Sequence, residues 1–226
     1  MGNGKKAEAK KRIFDAAVHL FARKGYAAVG IREIAREAGV QGSMINYYFD
    51  GKISILKAIM DECYTRYIKA ISIPGNDSTP LENRVRTLIR NLVNFYRDNP
   101  DLANAAFGSI PVDIPEITDH RIKWFESHRN DANSWFEILG LDTDDVVLNS
   151  VLRDFLGKIV SGFFRARYCC DRLAEEPDAS DHVREHFKHD DHAVPFDEAF
   201  IEKYVDYLTR VYLYGITDLR STKKEK

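Results

Sequence analysis

Apolar positions recur at helical spacing through most of the chain. Within residues 5–24, five apolar side chains fall on one helical face: Ile13, Phe14, Ala17, Leu20 and Phe21. The same periodicity predicts helices near 31–38, 42–49, 52–71, 81–98, 101–109, 115–139, 143–173 and 197–220. Strand-like alternation does not extend over a useful length. The pattern therefore predicts an all-α protein of about nine helices.

Turn-forming residues separate these segments. Residues 72–80 (SIPGNDSTP) are the clearest predicted loop, because Pro, Gly, Asn, Asp and Ser follow one another there. Residues 174–196 are polar and acidic and contain prolines, which indicates a second long loop. Gly25 is suited to ending the first helix, since glycine tolerates the left-handed conformation common there.

The composition is that of a folded globular protein, with 44% hydrophobic and 30% charged residues. No apolar run approaches the roughly 20 residues that span a bilayer, so no membrane partner is expected. The charged N-terminus lacks the apolar core of a signal peptide, and a cytoplasmic location is the default expectation. The three cysteines, Cys63, Cys169 and Cys170, show no metal-type spacing, which favours reduced thiols.

The charge is distributed unevenly along the chain. Residues 1–57 contain eleven Lys and Arg against five Asp and Glu, a net charge of +6. The whole chain carries −2, so residues 58–226 carry −8. A basic N-terminal segment followed by an acidic remainder is typical of a protein that binds nucleic-acid phosphates at one end. The net charge of short segments also varies by chance.

The short helices at 31–38 and 42–49 have the spacing of a helix-turn-helix. In that motif two helices cross steeply, which requires a small residue where they approach and a residue that tolerates positive φ in the turn. Ala35 and Gly39 satisfy these two requirements. Three apolar residues are spaced to anchor the second helix from beneath: Val40, Ile45 and Phe49.

The second of these helices also has polar residues for its outer face. The candidates are Gln41, Ser43, Asn46 and Tyr47, with Tyr48 ambiguous. An ordinary helical hairpin within a bundle could also carry the Ala35 and Gly39 pair. The aromatic cluster at 47–49, followed by Lys52, favours a DNA-facing helix, because tyrosine hydroxyls can bind phosphates.

The segment RIFDAAVHLFARKGYAAVGIREIAREAGVQGSMINYYFDGKISIL resembles the DNA-binding domain of the tetracycline-repressor (TetR) family. The matching features occur in the family's order: Phe21 with Gly25-Tyr26, Ile34-Ala35, Ala38-Gly39-Val40, Tyr47-Tyr48-Phe49, and Lys52 with Leu56. The resemblance covers about a fifth of the chain. It implies a sequence-specific regulator of transcription, a repressor that leaves a palindromic operator when a small effector binds.

The resemblance also implies which residues contact double-stranded DNA: Gln41, Gly42, Ser43, Asn46, Tyr47, Tyr48 and Lys52. We expect Tyr47, Tyr48 and Lys52 to hold the DNA backbone. Asn46 is a candidate for a bidentate contact to adenine. The chain departs from the family pattern at Val29-Gly30, where a hydroxyl residue is usual before the second helix, and at 41–44. These departures affect the operator sequence rather than the fold.

By the same resemblance, residues 1–57 are the helix-turn-helix domain, and residues 58–226 are an effector-binding and dimerisation domain. The residues expected to line an effector pocket are Phe95, Tyr96, Phe107, Trp124, Phe125, Trp135 and Phe164. The residues expected at a homodimer interface are Val151, Phe155, Ile159, Tyr207, Val211 and Tyr214. Either set could instead pack within the monomer as ordinary core.

One cluster outside this scheme could bind a metal. His182, His186, His189 and His192 lie close together, and His182 and His186 have i, i+4 spacing. A polar, histidine-rich loop without metal is the favoured interpretation, so no metal and no cofactor are predicted. Alternative functions are a ligand-independent regulator, a protein-binding module, or a helical enzyme using the His and Asp residues at 181–192. The catalytic motifs that an enzyme would need are absent from the sequence.

Overall fold

A computed structural model describes residues 2–72, 79–108, 110–128, 145–175 and 196–221. These residues form α-helices and one π-helical turn, and the described part of the chain contains no strand. The helices are α1 Gly2–Lys24, α2 Ile31–Glu37, α3 Gly42–Phe49, α4 Lys52–Ile71, α5 Leu81–Asp98, α6 Pro100–Ala103, α7 Pro115–Ser127, α8 Val146–Glu175 and α9 Glu198–Ser221. The all-α prediction is confirmed.

The chain divides into two compact units. The first comprises Met1–Ile68 and Asn99–Asn130, and the second comprises Lys69–Asp98 and Asp131–Lys226. The first unit thus includes α6 and α7 in addition to the helix-turn-helix. The expected domain boundary after residue 57 falls inside the continuous helix α4.

The core of the first unit is built from the apolar faces that periodicity predicts. Ile13 and Ala17 of α1 are fully buried, as are Ile34 of α2 and Ile45 of α3. Further along the chain, Leu56 of α4 is equally buried. Short helices such as α2 and α3 are only marginally stable in isolation, so the burial of their apolar side chains in this core stabilises them.

The segment predicted as a single helix at 101–109 has two parts. Pro100 occupies the first turn of α6, where its missing N–H is not needed. A π-helical turn follows at Asn104–Gly108. The Asn104 side chain donates to the Pro100 carbonyl at 2.9 Å. Such wide turns are rare, and this one brings Phe107 into an aromatic cluster described below.

Helix α7 is shorter than the sequence predicts. The apolar pattern indicated a helix over 115–139, but α7 ends at Ser127. The Ser127 hydroxyl donates to the Trp124 carbonyl at 2.8 Å, and His128 Nδ1 lies 2.9 Å from the same oxygen. The backbone N–H of His128 also donates to this carbonyl, at 3.2 Å, and His128 itself leaves the helical conformation at φ −110° and ψ 20°, which ends the helix. Residues 129–144 lie outside the described residues.

In the second unit, α5 packs against α9 through a ladder of ion pairs. Arg86 contacts Glu202 at 3.1 Å and Asp206 at 3.0 Å. One turn along α5, Arg90 contacts Glu198 at 3.1 Å and also pairs with Glu202. Because the pairs repeat at i, i+4 on both helices, they set the register of the antiparallel contact.

None of the helices in the described ranges combines the length and the apolar character that a bilayer crossing requires. Of the predicted loop 72–80, residues 73–78 lie outside the described ranges, and Ser72, Thr79 and Pro80 are not helical. Most of the second predicted loop, including the histidine cluster at 182–192, also lies outside them.

Candidate nucleic-acid interface

The turn between α2 and α3 has the geometry of a helix-turn-helix. Gly39 has φ +61°, a left-handed conformation that strains any residue with a β-carbon. Ala35 is buried where the helices approach, and its carbonyl accepts a hydrogen bond from the Val40 N–H at 2.9 Å. The roles expected of Ala35 and Gly39 are both filled.

Helix α3 has an inner face and an outer face. Ile45 and Phe49 are buried, while Val40, just before the helix, is only half-buried. Five of the expected DNA-contacting residues are exposed: Gln41, Gly42, Ser43, Asn46 and Tyr47. Tyr48 is half-buried, and its ring meets the Tyr47 ring edge-on, with centroids 4.9 Å apart. Donors and acceptors that could bind base edges or phosphates therefore share one accessible surface.

The junction between α3 and α4 is fixed by two successive left-handed residues. Asp50 has φ +53° and Gly51 has φ +98°. Helix α4 then begins at Lys52, whose Nζ lies 4.0 Å from the centroid of the Tyr26 ring. This cation–π contact restricts the lysine, and partial burial lowers the pKa of Lys52.

The start of α2 lacks the side-chain hydroxyl cap that is usual in the family that the sequence resembles. Gly30 occupies the capping position in an extended conformation and offers no side chain. Glu33 lies in the first turn of α2 and accepts a hydrogen bond from Lys24 Nζ at 2.7 Å. This bond, with the lysine charge, lowers the pKa of Glu33. The ion pair between Lys24 of α1 and Glu33 of α2 thus stabilises the start of α2, where a side-chain cap is missing.

Two lysines that sequence analysis did not select lie beside α3. Lys6 Nζ is 6.0 Å from the Tyr47 ring centroid, and Lys10 Nζ is 5.4 Å from the Phe49 ring centroid. The signal was present in the basic run KKAEAKKR, where Lys6 and Lys10 have i, i+4 spacing. Only the structure shows that this side of α1 lies near the outer residues of α3.

Comparison with known proteins identifies this arrangement. Residues 13–59 match the sequence model of the family described as bacterial regulatory proteins, tetR family. The helix-turn-helix segment of this chain is thus similar to that of the tetR family. The match covers α1 from Ile13 onwards, all of α2 and α3, and the first part of α4.

The curated relatives of this chain are similar over part of their length. The probable HTH-type transcriptional regulator YttP of Bacillus subtilis is 28% identical over 116 residues, which are 50% of this chain and 56% of that protein. An uncharacterized HTH-type transcriptional regulator of Mycobacterium tuberculosis is 32% identical over 42% of this chain and 47% of its own. The chain therefore spans about half the length of the curated relatives it matches.

Solved structures share the fold over most of the chain. The fatty acid degradation regulator FadR from Bacillus halodurans has a TM-score of 0.56 at 21% identity, covering 80% of this chain and 93% of that one. FadR from Bacillus subtilis, solved in complex with stearoyl-CoA, has a TM-score of 0.54 at 15% identity, covering 79% and 95%. At these identities the likeness shows the fold alone.

Three residues expected in an effector pocket lie in the first unit, around Tyr64. The Tyr64 ring centroid is 5.5 Å from that of Phe107, 5.0 Å from Trp124 and 5.5 Å from Phe125. Tyr64 is fully buried, and its hydroxyl has no hydrogen-bond partner among the described residues. Burial raises the pKa of Tyr64 to about 12. Tyr64 was not among the predicted pocket residues.

Three other expected pocket residues lie in the second unit. Tyr96 stacks on Phe164 with centroids 5.6 Å apart, and it meets Phe95 edge-on at 5.2 Å. Phe164 also contacts Phe196, which extends the cluster towards α9. Trp135 lies outside the described residues. The structure thus places the six described pocket candidates in two clusters, one in each unit, and their role as a pocket stays a prediction.

The residues expected at a dimer interface leave large apolar side chains at the surface of the second unit. Phe155 is half-buried, and the others are exposed: Val151 and Ile159 on α8, and Tyr207, Val211 and Tyr214 on α9. Val147 extends the same series at the start of α8. Several exposed apolar residues on neighbouring turns are typical of a surface that another protein covers.

Proposed function

We propose that this chain is a sequence-specific DNA-binding regulator of transcription that acts as a homodimer. The carrying observation is the outer face of α3, where polar and aromatic side chains are exposed on a helix anchored by Ile45 and Phe49. An α-helix fits the major groove, where hydrogen bonds to base edges distinguish all four base pairs. The family match of residues 13–59 supports this use of the motif.

Within this proposal, some residues recognise base pairs and others bind the DNA backbone. Asn46 is exposed and can form the bidentate hydrogen bonds that select adenine, while Gln41 and Ser43 can reach base edges or phosphates. Tyr47, Tyr48 and Lys52 hold the DNA backbone, and the lysine contributes charge. A two-fold dimer would place two such helices about one DNA turn, roughly 34–36 Å, apart, which calls for a palindromic operator.

The apolar surfaces of α8 and α9 support the homodimer. Exposed valines, isoleucine and tyrosines on neighbouring turns give an apolar area that a second copy of the chain can cover. Because a two-fold interface places the same surface on both partners, one apolar patch suffices.

We further propose that a small effector weakens DNA binding and thereby relieves repression. Helix α4 carries Lys52 at its beginning and Tyr64 twelve residues later, about 18 Å along a continuous helix. A molecule that displaces the aromatic rings around Tyr64 can therefore move the residue that holds the DNA backbone. The effector acts by favouring a conformation whose DNA-reading helices no longer match the operator spacing.

The central test measures DNA binding by the full chain. Duplex DNA from upstream of its own gene is titrated over a range of salt concentrations with excess nonspecific competitor. We expect competitor-resistant binding that weakens steeply with salt, because lysine contacts to phosphate release counterions. If no preferred duplex emerges, either here or on selection from random sequences, the proposed function is wrong.

The effector proposal has its own test, with stearoyl-CoA as a first probe because the similar FadR structure of Bacillus subtilis contains it. Probes that release labelled operator are compared on the wild-type protein and on Tyr64→Phe. We expect the variant to keep its operator affinity and to need a higher concentration of a polar probe for release, because the phenol hydroxyl is gone. A probe that binds tightly without changing operator affinity would argue against the mechanism.

A further inference from the structure

Helix α1 begins well before the part of the chain that matches the family. The match starts at Ile13, whereas α1 starts at Gly2. Residues 5–12 contain five Lys and Arg against a single acid, Glu8. The helical extension before Ile13 is therefore strongly basic, and neither the predicted DNA contacts nor the family match accounts for that charge.

The lysines of this extension lie on a definite side of the helix. Ala9 and Ile13 are buried, which fixes the rotation of α1 about its axis. Lys6 and Lys10, one turn apart, are exposed and lie beside the rings of Tyr47 and Phe49. Lys6 therefore lies beside an outer residue of α3, and Lys10 lies beside Phe49 at the end of the same helix.

Both ammonium groups keep their charge available. Across the described part of the chain, neither Lys6 nor Lys10 forms an ion pair, whereas neighbouring Lys11 pairs with Asp15 at 2.5 Å. Distances of 6.0 Å and 5.4 Å to the ring centroids are long for a cation–π contact. Neither ring neutralises the ammonium group beside it.

We propose that Lys6 and Lys10 bind DNA phosphates next to the base pairs that α3 reads. The inference rests on the proposed function and adds a second contact to it, one that does not depend on base sequence. Charge complementarity supports DNA as the partner, since two unpaired cations border a helix face carrying hydrogen-bonding groups. The extension would then strengthen binding and leave the choice of operator to α3.

The test compares full-length wild-type protein with Lys6→Ala/Lys10→Ala on the selected operator over a series of salt concentrations. We expect the slope of log K against log salt to become shallower by about 0.9 for each lysine in each half-site. At 0.15 M salt, removing one lysine–phosphate pair in this way corresponds to about fivefold weaker binding. Affinity for operator and for nonspecific duplex should fall by similar factors, because phosphates carry no sequence information.

Two control variants isolate the role of the lysines. Lys123→Ala removes one lysine charge from an exposed position on α7 and should leave the slope unchanged. Lys6→Arg/Lys10→Arg keeps both charges and should retain most of the affinity. Because alanine favours helix, α1 should persist in the double alanine variant, and its circular dichroism melt checks this.

Two results would overturn the proposal. An unchanged slope with unchanged affinity would show that the lysines do not meet DNA, and an unchanged slope with lower affinity would show that they only support Tyr47. Nonspecific duplex carries the same phosphates, so the slope can be compared on it even if the wild-type protein has no preferred sequence. In that case the proposed function would fail, while a shallower slope would still support the lysine contacts.

Discussion

The outer face of α3 and the outer faces of α8 and α9 expose large side chains of different chemistry. On α3 the exposed groups can donate and accept hydrogen bonds, and Lys6 of α1 lies beside one of them. On α8 and α9 the exposed groups include valine and isoleucine, which gain nothing from water. The first surface suits a hydrated, charged partner such as DNA, and the second suits another protein surface. Exposure alone therefore does not identify a partner, whereas the chemistry of the exposed atoms does.

The largest effect is expected from a charge in the proposed dimer interface. Val211→Glu should weaken dimerisation on the order of a hundredfold or more, because two carboxylates would lose water in a two-fold interface. Sedimentation equilibrium measures the effect, and Val112→Glu is the matched control at an exposed position in the first unit. A Val211→Glu protein that dimerises like wild type would show that this face of α9 is not the interface.

The second prediction separates base reading from backbone holding on α3. Asn46→Ala should cost about 1–3 kcal/mol of operator binding for each half-site and remove the preference at a single base pair. Tyr47→Phe should instead weaken binding by about 1 kcal/mol whatever the sequence, since it removes one phosphate contact. Competition with operators substituted at each position measures both variants. Equal losses on all sequences for Asn46→Ala would remove its reading role.

The third prediction concerns the turn that orients α3. Gly39→Ala should lower the free energy of unfolding by about 1–2 kcal/mol, because alanine is strained at φ +61°. Gly42→Ala is the matched control: its β-carbon meets open space, and alanine favours helix, so stability should be unchanged or slightly higher. Urea unfolding of both variants provides the comparison. If the two are destabilised equally, the turn conformation is not the cause.

The smallest predicted effect is at Tyr64. Tyr64→Phe should stabilise the unliganded protein by about 1 kcal/mol, because it removes a buried hydroxyl without a partner in the described structure. The folded-state pKa of about 12 exceeds the unfolded value of 10.0, so the tyrosine's contribution is complete below pH 10 and is lost between pH 10 and about 12. The phenylalanine variant should lose less stability over that range in thermal melts. A lower melting temperature for Tyr64→Phe at neutral pH would contradict this account.

Sequence patterns predicted helices well where local rules decide their ends. The bounds of α3, α4 and α5 agree with the apolar periodicity and with the flanking Gly, Asp and Pro residues. The predicted end of α7 was wrong because the backbone leaves the helical conformation at His128, with φ −110° and ψ 20°, which apolar periodicity does not report. The π-helical turn at Asn104–Gly108 was not predicted either, because apolar periodicity does not distinguish a π-helical turn from an α-helical one.

The candidate site was predictable in its exposed polar residues but not in its cations. The spacing of Ile45 and Phe49 fixes which side of α3 faces outward, and this can be inferred from the sequence. The positions of Lys6 and Lys10 depend on how α1 packs within the first unit, which involves residues distant in sequence. The cation–π contact of Lys52 with Tyr26 is likewise a tertiary contact. The positions of these three lysines were therefore not predicted, because they depend on packing between segments that are distant in the sequence.

The two turns that bound α3 have a consequence for evolution. Gly39 at one end and Asp50 with Gly51 at the other fix where the helix starts and stops, and Ile45 and Phe49 fix its depth. None of these residues contributes to the outer face. The exposed positions can consequently be exchanged as a cassette, so that a lineage could acquire a new binding preference by a few point mutations while the scaffold remains intact.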